Sequence, residues 1–113
     1  MMSNKRQHDR FNSLNLIHFN CLDKGDNVSK QGMGRTLNVS ESGILLETSF
    51  QIRSQQNVSM AIGLDDDMVN IRGIVVRSAV GRRDRFEAGI QFFEMDNNDR
   101  NILKKYIDAF MNQ

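Results

Sequence analysis

The chain has 113 residues, of which 39% are hydrophobic, and its 15 basic and 14 acidic residues leave a net charge of +1. This length supports one domain with one core, and the balanced charge argues against a non-specific polyanion binder, which would need a broadly positive surface. One cysteine and two histidines exclude an intramolecular disulfide and a zinc-ligand set. The N-terminus lacks an apolar signal region, and no apolar run approaches the roughly 20 residues that span a bilayer. We therefore expect a cytoplasmic protein without a membrane span.

Most of the chain alternates between apolar and polar residues with a period of two, which is the pattern of half-buried strands. The polar residues 1–13 precede this pattern, and the domain is expected over residues 14–113. The predicted strands are, in chain order, Leu14–Cys21, Gly32–Leu37, Ile44–Thr48, Asn57–Leu64, Val69–Val76 and Arg85–Phe93. In the first strand we expect Ile17 and Phe19 to face away from Leu16, and Cys21 to be a small core residue.

Turn-forming residues separate the predicted strands. Lys24–Asn27 predicts a tight turn because Gly and Asn tolerate positive φ. Asp65–Asp67 predicts a solvated turn, and Gly81–Asp84 leads into the last strand. The absence of proline and the presence of eight glycines agree with strands that bend at glycine without breaking.

The tail of the chain changes period. Its apolar residues recur at the spacing of one stripe of an amphipathic helix. They are Ile102, Leu103, Tyr106, Ile107, Phe110 and Met111. Asp96 or Asn97 is the expected N-cap, and Asp99 places a negative charge in the first turn, where the helix dipole favours it. The predicted fold class is all-β with a terminal helix: a six-stranded antiparallel β-barrel plus a C-terminal α-helix that packs over an opening or a face.

Two short motifs carry chemistry beyond the fold. Arg6-Gln7-His8-Asp9-Arg10 is an RxxxR before the first strand, and Asn38-Val39-Ser40-Glu41-Ser42-Gly43 is an NxSxxG between two apolar segments. The guanidinium fork of arginine suits phosphate oxygens and the O6/N7 edge of guanine. Asn and Ser can meet other base edges, and Gly permits close approach of the backbone or a positive φ. Together the motifs predict a site for an anionic, guanine-bearing nucleotide.

The order and strand context of these motifs resemble the PilZ domain, the bacterial receptor module for cyclic di-GMP. The signature of that family is RxxxR before the first strand and (D/N)xSxxG between the second and third strands. Glu87-Ala88-Gly89-Ile90-Gln91-Phe92 is similar to the G-[aliphatic]-x-F of the family's last strand. The resemblance covers about Lys5 to Met111 and implies a six-stranded PilZ-type barrel with a terminal helix.

The resemblance also implies the ligand and its contacts. It indicates a bacterial, non-enzymatic receptor whose ligand is cyclic di-GMP, with no cofactor and no metal. The implied contacts are Arg6, Arg10, Asn38, Ser40 and Gly43, with Lys5 and Gly89 as further candidates. Gly89 is also explained as a barrel-strand glycine. Lys5 adds a cation, similar to family members that bind the ligand as a stacked pair.

The implied mechanism uses residues 1–13 as a flexible ligand-binding segment. Arg6 and Arg10 would hold phosphate and the Hoogsteen edge of guanine, and ligand binding would order the segment and signal to an unidentified downstream protein. Asn38 stands where Asp is commoner in the family. A neutral acceptor contributes about 0.5–1.5 kcal/mol against about 1.5–3 for a charged one, so the sequence predicts weaker binding.

Two alternatives remain open at this point. The first is a PilZ-like adaptor that works through protein contacts without nucleotide. The second is a small nucleic-acid-binding barrel that uses a basic cluster, for which a solvated hairpin loop is the default explanation and a protein-contact patch is another. The cluster consists of Arg72, Arg77, Arg82, Arg83 and Arg85. Small barrels typically stack bases on exposed aromatic residues. Because Phe86, Phe92 and Phe93 occupy strand positions around the core, the sequence argues against nucleic acid as a partner.

Overall fold

The computed structural model describes residues 16–64 and 66–112. Within these residues, six antiparallel strands form a closed barrel and one helix follows them. The elements are β1 Leu16–Leu22, β2 Val28–Val39, β3 Gly43–Thr48, β4 Asn57–Leu64, β5 Asp67–Val80, β6 Phe86–Phe93 and α1 Asn97–Met111. The strand order around the barrel is β1–β2–β3–β6–β5–β4, and β4 pairs with β1 to close it. The predicted fold class is therefore confirmed.

The predicted strands are all present, but two of them are longer than the alternation indicated. β2 ends at Val39, so Asn38 lies in a strand and not in the following turn. β5 continues to Val80, beyond the predicted end at Val76. In both strands the register shifts, between Thr36 and Asn38 and between Val75 and Arg77. A β-bulge of this kind breaks the alternation while pairing continues, which explains why the sequence pattern stopped early.

The barrel interior is a continuous apolar core. Ile17 and Phe19 are fully buried, whereas Leu16 on the opposite face of β1 is 52% exposed, as the alternation predicts. The remaining fully buried strand side chains include Leu46, Val58, Met60, Ile62, Ile71, Val75 and Ile90. Cys21 is also buried and belongs to the same cluster, which confirms its predicted role. Every strand thus contributes its inward face to one core.

Helix α1 lies across an opening of the barrel. Asp96 is its N-cap, and its Oδ1 accepts a hydrogen bond from the backbone N–H of Asp99 at 2.8 Å. The buried Tyr106 hydroxyl lies 3.0 Å from the hydroxyl of Thr36, an inward-facing residue of β2. The helix also contacts β4 and β5. Because β2 is adjacent to neither of those strands, a helix that reaches all three must cover an end of the barrel.

The prediction that Met111 belongs to the apolar stripe packed on the barrel is wrong, whereas the rest of the stripe packs as expected. Ile102 and Leu103 are buried, and Ile107 and Phe110 pack against the core. Met111 is 66% exposed. The burial of the stripe falls off along the helix, because the last turn extends beyond the side chains that fill the barrel opening.

The β1–β2 turn forms where expected, but not through the residues expected to supply positive φ. Asp26 has the positive φ, at 62°. Asp23 Oδ1 accepts hydrogen bonds from the N–H groups of Gly25 and Asn27, both at 2.9 Å, and fixes the turn around it. The Asp23 side chain therefore fixes the turn as an Asx turn. Asp26 takes the positive φ that was expected of Gly25 or Asn27, since Asp also tolerates the left-handed region. In the predicted turn at Asp65–Asp67, Asp66 is an exposed turn residue, whereas Asp67 already begins β5.

Replacement of Tyr106 by phenylalanine should lower the free energy of unfolding by about 1 kcal/mol. The change removes the hydroxyl that meets Thr36 and leaves the buried ring in place. Urea unfolding followed by circular dichroism measures the difference. Asn101→Gln, a conservative change at an exposed position of the same helix, is the control. A free energy of unfolding equal to that of the wild type would show that this hydrogen bond does not hold the helix to the barrel.

The Cys21 thiol should be unreactive in the folded protein. Burial raises its pKa above the ordinary value of 9.0, while the nearby Lys30 ammonium opposes the shift. Burial likewise raises the pKa of Tyr106 above 10.0, and its hydrogen bond to Thr36 partly offsets this. Both groups favour the folded state in their protonated forms, so their contribution to stability is complete below these ordinary values and is lost as the pH rises through the raised ones. We expect slow reaction with a disulfide reagent at mildly alkaline pH, and rapid reaction in urea. Rapid reaction of the folded protein would contradict the burial of the thiol.

Candidate functional site

A groove of about 370 Å³ lies on the outer face of the barrel where the β2–β3 turn meets β6. We name it the turn groove. Four of the residues predicted from the motifs line it, namely Asn38, Ser40, Gly43 and Gly89. The strand register explains how they meet, because Asn38 stands opposite Leu45 on β3, and Leu45 stands opposite Gly89 on β6. The structure therefore brings both sequence motifs downstream of β1 into one site.

Ser40 organises the turn that borders this groove. Its backbone N–H donates to the carbonyl oxygen of Gly43 at 2.9 Å. Its hydroxyl lies 3.2 Å from the Ser42 hydroxyl and accepts from the Ser42 N–H at 3.3 Å. Both hydroxyls are exposed at the groove, so the turn offers two adjacent groups that can donate to or accept from a polar ligand.

Asn38 directly follows the bulge in β2 and is exposed. Its Oδ1 accepts a hydrogen bond from the N–H of Val39 at 2.9 Å. This contact commits one lone pair of the carbonyl oxygen to the protein backbone. The amide N–H groups of Asn38 remain as donors, which suits acceptor atoms such as phosphate oxygens or the O6 and N7 atoms of guanine.

The fold requires glycine at one of the two glycine positions of the groove, Gly43, but not at the other, Gly89. No glycine in the described part of the chain has a positive φ, so Gly43 is not needed for the left-handed conformation. A Cβ at Gly43 would lie 2.5 Å from the carbonyl oxygen of Ile90, so the close approach of the β2–β3 turn to β6 requires glycine there. A Cβ at Gly89 would meet only the Cβ of Arg77, at 3.3 Å. The absence of a side chain at Gly89 therefore leaves the groove open, but glycine at this position is not essential to the barrel.

The motifs did not indicate several other residues that line the groove. These are Ser42, Leu45, Val76 and Gln91. The alternation of β3 could have placed Leu45 on the outer face, because its neighbours Ile44 and Leu46 are buried. Val76 is 49% exposed because the bulge in β5 turns it outward, and no local sequence signal predicts that bulge.

The turn is also joined to the rest of the fold on its far side. The N–H of Phe92 donates to the carbonyl oxygen of Ser42 at 2.9 Å. The Glu41 carboxylate lies 3.7 Å from the Lys104 ammonium of α1. This exposed ion pair contributes little stability by itself, but it places the helix next to the turn.

Arg6, Arg10 and Lys5 lie outside the described residues, as does the predicted segment 1–13. The site is thus described for the NxSxxG motif and β6, while the RxxxR contacts remain predictions. Among residues 16–64 and 66–112, no group of three His, Cys, Asp or Glu side chains could hold a metal ion. In the same residues, no helix is both long and apolar enough to cross a membrane.

The basic cluster does not form one surface. The Arg72 guanidinium lies 2.6 Å from the Asp26 carboxylate and 5.9 Å from the centroid of the Phe93 ring. Arg82, Arg83 and Arg85 line a different groove that also contains two glutamates. The continuous positive stripe that a nucleic-acid backbone would follow is therefore interrupted by carboxylates.

Comparison with known protein families identifies the family of this chain. The PilZ domain model matches residues 4–109. The chain belongs to the PilZ family. PilZ domains are non-enzymatic modules that bind cyclic di-GMP. No curated protein matches this chain.

A solved structure supports the same fold. The PilZ chain is similar to MrkH of K. pneumonia in its apo state, with a TM-score of 0.63 and 13% sequence identity. The match covers 85% of this chain and 45% of MrkH, so the PilZ chain spans less than half the length of that neighbour. At this identity the likeness shows the barrel and its helix.

Proposed function

We propose that this PilZ protein is a bacterial, cytoplasmic cyclic di-GMP receptor that binds its ligand in the turn groove. The observation that carries the proposal is the convergence of Asn38, Ser40, Gly43 and Gly89 on one groove. A plain turn would account for the Asn, Ser and Gly residues of the motif, but it does not require a glycine on β6 beside them.

The groove offers complementary chemistry to a guanine nucleotide. Leu45 and Gly89 provide an apolar and open floor on which a purine face can lie. The Asn38 amide can donate to acceptors on guanine or phosphate, and the Ser40 and Ser42 hydroxyls can meet ribose and phosphate oxygens. Arg77 is exposed directly opposite Gly89 and adds a guanidinium at the edge of the groove.

The cations for the two phosphates come from the RxxxR motif in this proposal. Arg6 and Arg10 lie upstream of β1, with Lys5 beside them, and bind phosphate oxygens from the side opposite the NxSxxG turn. Ligand binding orders residues 1–13 against the barrel and changes the surface available to a separate downstream protein. Because ordering these residues costs free energy, the dissociation constant is expected to be micromolar, about −8 kcal/mol.

Calorimetric titration with cyclic di-GMP tests the proposal, with GTP and cyclic di-AMP as competing nucleotides. Ser40→Ala should weaken binding roughly tenfold, because it removes a groove hydroxyl and loosens the turn. Ser54→Ala is the matched control, since Ser54 is exposed in a loop that lines a separate cavity. Absence of heat from a folded sample, confirmed by an independent binding assay, would overturn the receptor function and favour a protein-contact adaptor.

A further inference from the structure

A second groove lies beside the turn groove on the same outer face of the barrel. Its volume is about 590 Å³, and we name it the arginine groove. Its charged lining consists of Arg35 of β2, Glu47 of β3, Glu87 of β6, and Arg82, Arg83 and Arg85 of the β5–β6 hairpin. The two grooves are neighbours along β3 and β6. Leu45 stands opposite Gly89 in the turn groove, and two residues further along β3 Glu47 stands opposite Glu87 in the arginine groove.

Most charges of the arginine groove have no ion-pair partner among residues 16–64 and 66–112. Arg85 Nε lies 3.8 Å from Glu47 Oε1. Among residues 16–64 and 66–112, no carboxylate lies within ion-pair distance of Arg35, Arg82 or Arg83. Four arginines against two glutamates give the groove a local charge of +2, on a chain whose total is only +1. A local positive potential of this kind attracts an anionic partner.

The hairpin holds one of these arginines in an unfavourable backbone conformation. Arg83 and Asp84 have φ angles of 52° and 62°, and the N–H of Arg85 donates to the carbonyl oxygen of Arg82 at 2.8 Å. These are the features of a type I′ turn, where Asn followed by Gly is strongly preferred. An arginine in the left-handed region is a backbone outlier, one of five non-glycine residues with positive φ in the described part of the chain.

We propose that the arginine groove is a docking surface for an acidic segment of a partner protein. Carboxylate side chains of that segment pair with Arg35, Arg82 and Arg83. Leu37, which also lines the groove, receives an apolar side chain between them. The mixture of charges favours a polypeptide over a nucleic acid, because Glu47 and Glu87 would repel a continuous phosphate backbone but can pair with a lysine or an amide of a peptide.

The position of this surface gives the docking a regulatory consequence, which rests on the proposed function of the turn groove. Leu37 directly precedes Asn38 along β2, so a partner seated over Leu37 borders the nucleotide. The partner therefore contacts a surface that ligand binding changes. The docking itself depends only on the charges and the shape of the arginine groove.

Fluorescence anisotropy with a labelled peptide of alternating Glu, Asp and Leu tests the docking. An isosteric peptide with Gln and Asn in place of Glu and Asp, and an oligothymidylate, serve as competing probes. Arg82→Gln/Arg83→Asn should weaken binding of the acidic peptide roughly tenfold, since it removes two rim charges. The same variant should melt no lower than the wild type, because Asn is favoured in the left-handed position. Loss of binding therefore cannot be attributed to unfolding.

The control variant is Lys24→Gln/Arg53→Gln, which removes the same charge from residues that line a separate cavity. Equal loss of peptide binding in the control, equal binding of the isosteric peptide, or tighter binding of the oligothymidylate would overturn the proposal. Calorimetry with cyclic di-GMP distinguishes failure of the docking proposal from failure of the proposed receptor function. Hairpin-dependent peptide binding without nucleotide binding would remove only the receptor function, and the reverse result would remove only the docking surface.

Discussion

Replacement of Arg10 by alanine should weaken cyclic di-GMP binding roughly 10- to 100-fold, and the same change at Arg6 should have a similar effect. Each guanidinium supplies charge-assisted hydrogen bonds to phosphate, for which about 1.5–3 kcal/mol is typical. The double variant Arg6→Ala/Arg10→Ala should give no measurable heat of binding. Calorimetric titration of the three variants against the wild type measures these losses.

Arg53→Ala is the control for a general loss of positive charge. Arg53 is exposed and lines a cavity formed with the β1–β2 turn and the loop before β4. Its removal lowers the net charge by the same amount as each RxxxR change, so it should leave the affinity unchanged within about twofold. If the Arg6 and Arg10 variants bind cyclic di-GMP as tightly as the wild type, the RxxxR motif has no part in the site.

Replacement of Gly43 by alanine should lower the free energy of unfolding by about 1–3 kcal/mol and weaken nucleotide binding as well. The new Cβ would lie 2.5 Å from the Ile90 carbonyl oxygen, and a backbone atom of a central strand cannot move aside cheaply. The β2–β3 turn must then shift away from β6. Urea unfolding and calorimetry on the same sample measure the two effects together.

Gly89→Ala is the matched comparison on the other side of the groove. Its Cβ would meet only the Cβ of the exposed Arg77, at 3.3 Å, and a backbone shift of a few tenths of an ångström beside the β5 bulge relieves the contact. Alanine also costs less conformational entropy than glycine in a strand, so stability should be equal to or above that of the wild type. Equal destabilisation by the two substitutions would contradict the different roles assigned to these glycines.

The periodic parts of the fold were predictable because their residues obey one local rule. The alternation around Ile17 and Phe19 requires burial of one strand face, and Asp96 precedes α1 as a favourable cap. The positions that failed depend on contacts between distant elements. The bulges in β2 and β5 are defined by pairing with β3 and β6, so Asn38 and Val76 could not be placed from alternation alone.

The candidate site likewise contains residues that a local motif predicts and residues whose placement depends on distant contacts. The positions of Ser40 and Gly43 were predictable because a turn motif fixes their spacing, and the family resemblance indicated Gly89 as a further candidate. The contribution of Leu45 to the groove depends on its pairing with Gly89 across β3 and β6. The separation of Arg72 from the hairpin arginines depends on its contact with Asp26, 46 residues away along the chain. Neither relation is visible in a linear pattern.

The most direct test of this account is to map cyclic di-GMP binding onto the barrel by amide chemical-shift perturbation in solution. We expect the largest shifts at the backbone amides of Ser40, Ser42, Gly43 and Gly89, with GTP producing much smaller ones. The amides around Arg53, beside the separate cavity, should be unaffected. Perturbations centred away from the turn groove, or of the same size with GTP, would contradict the site.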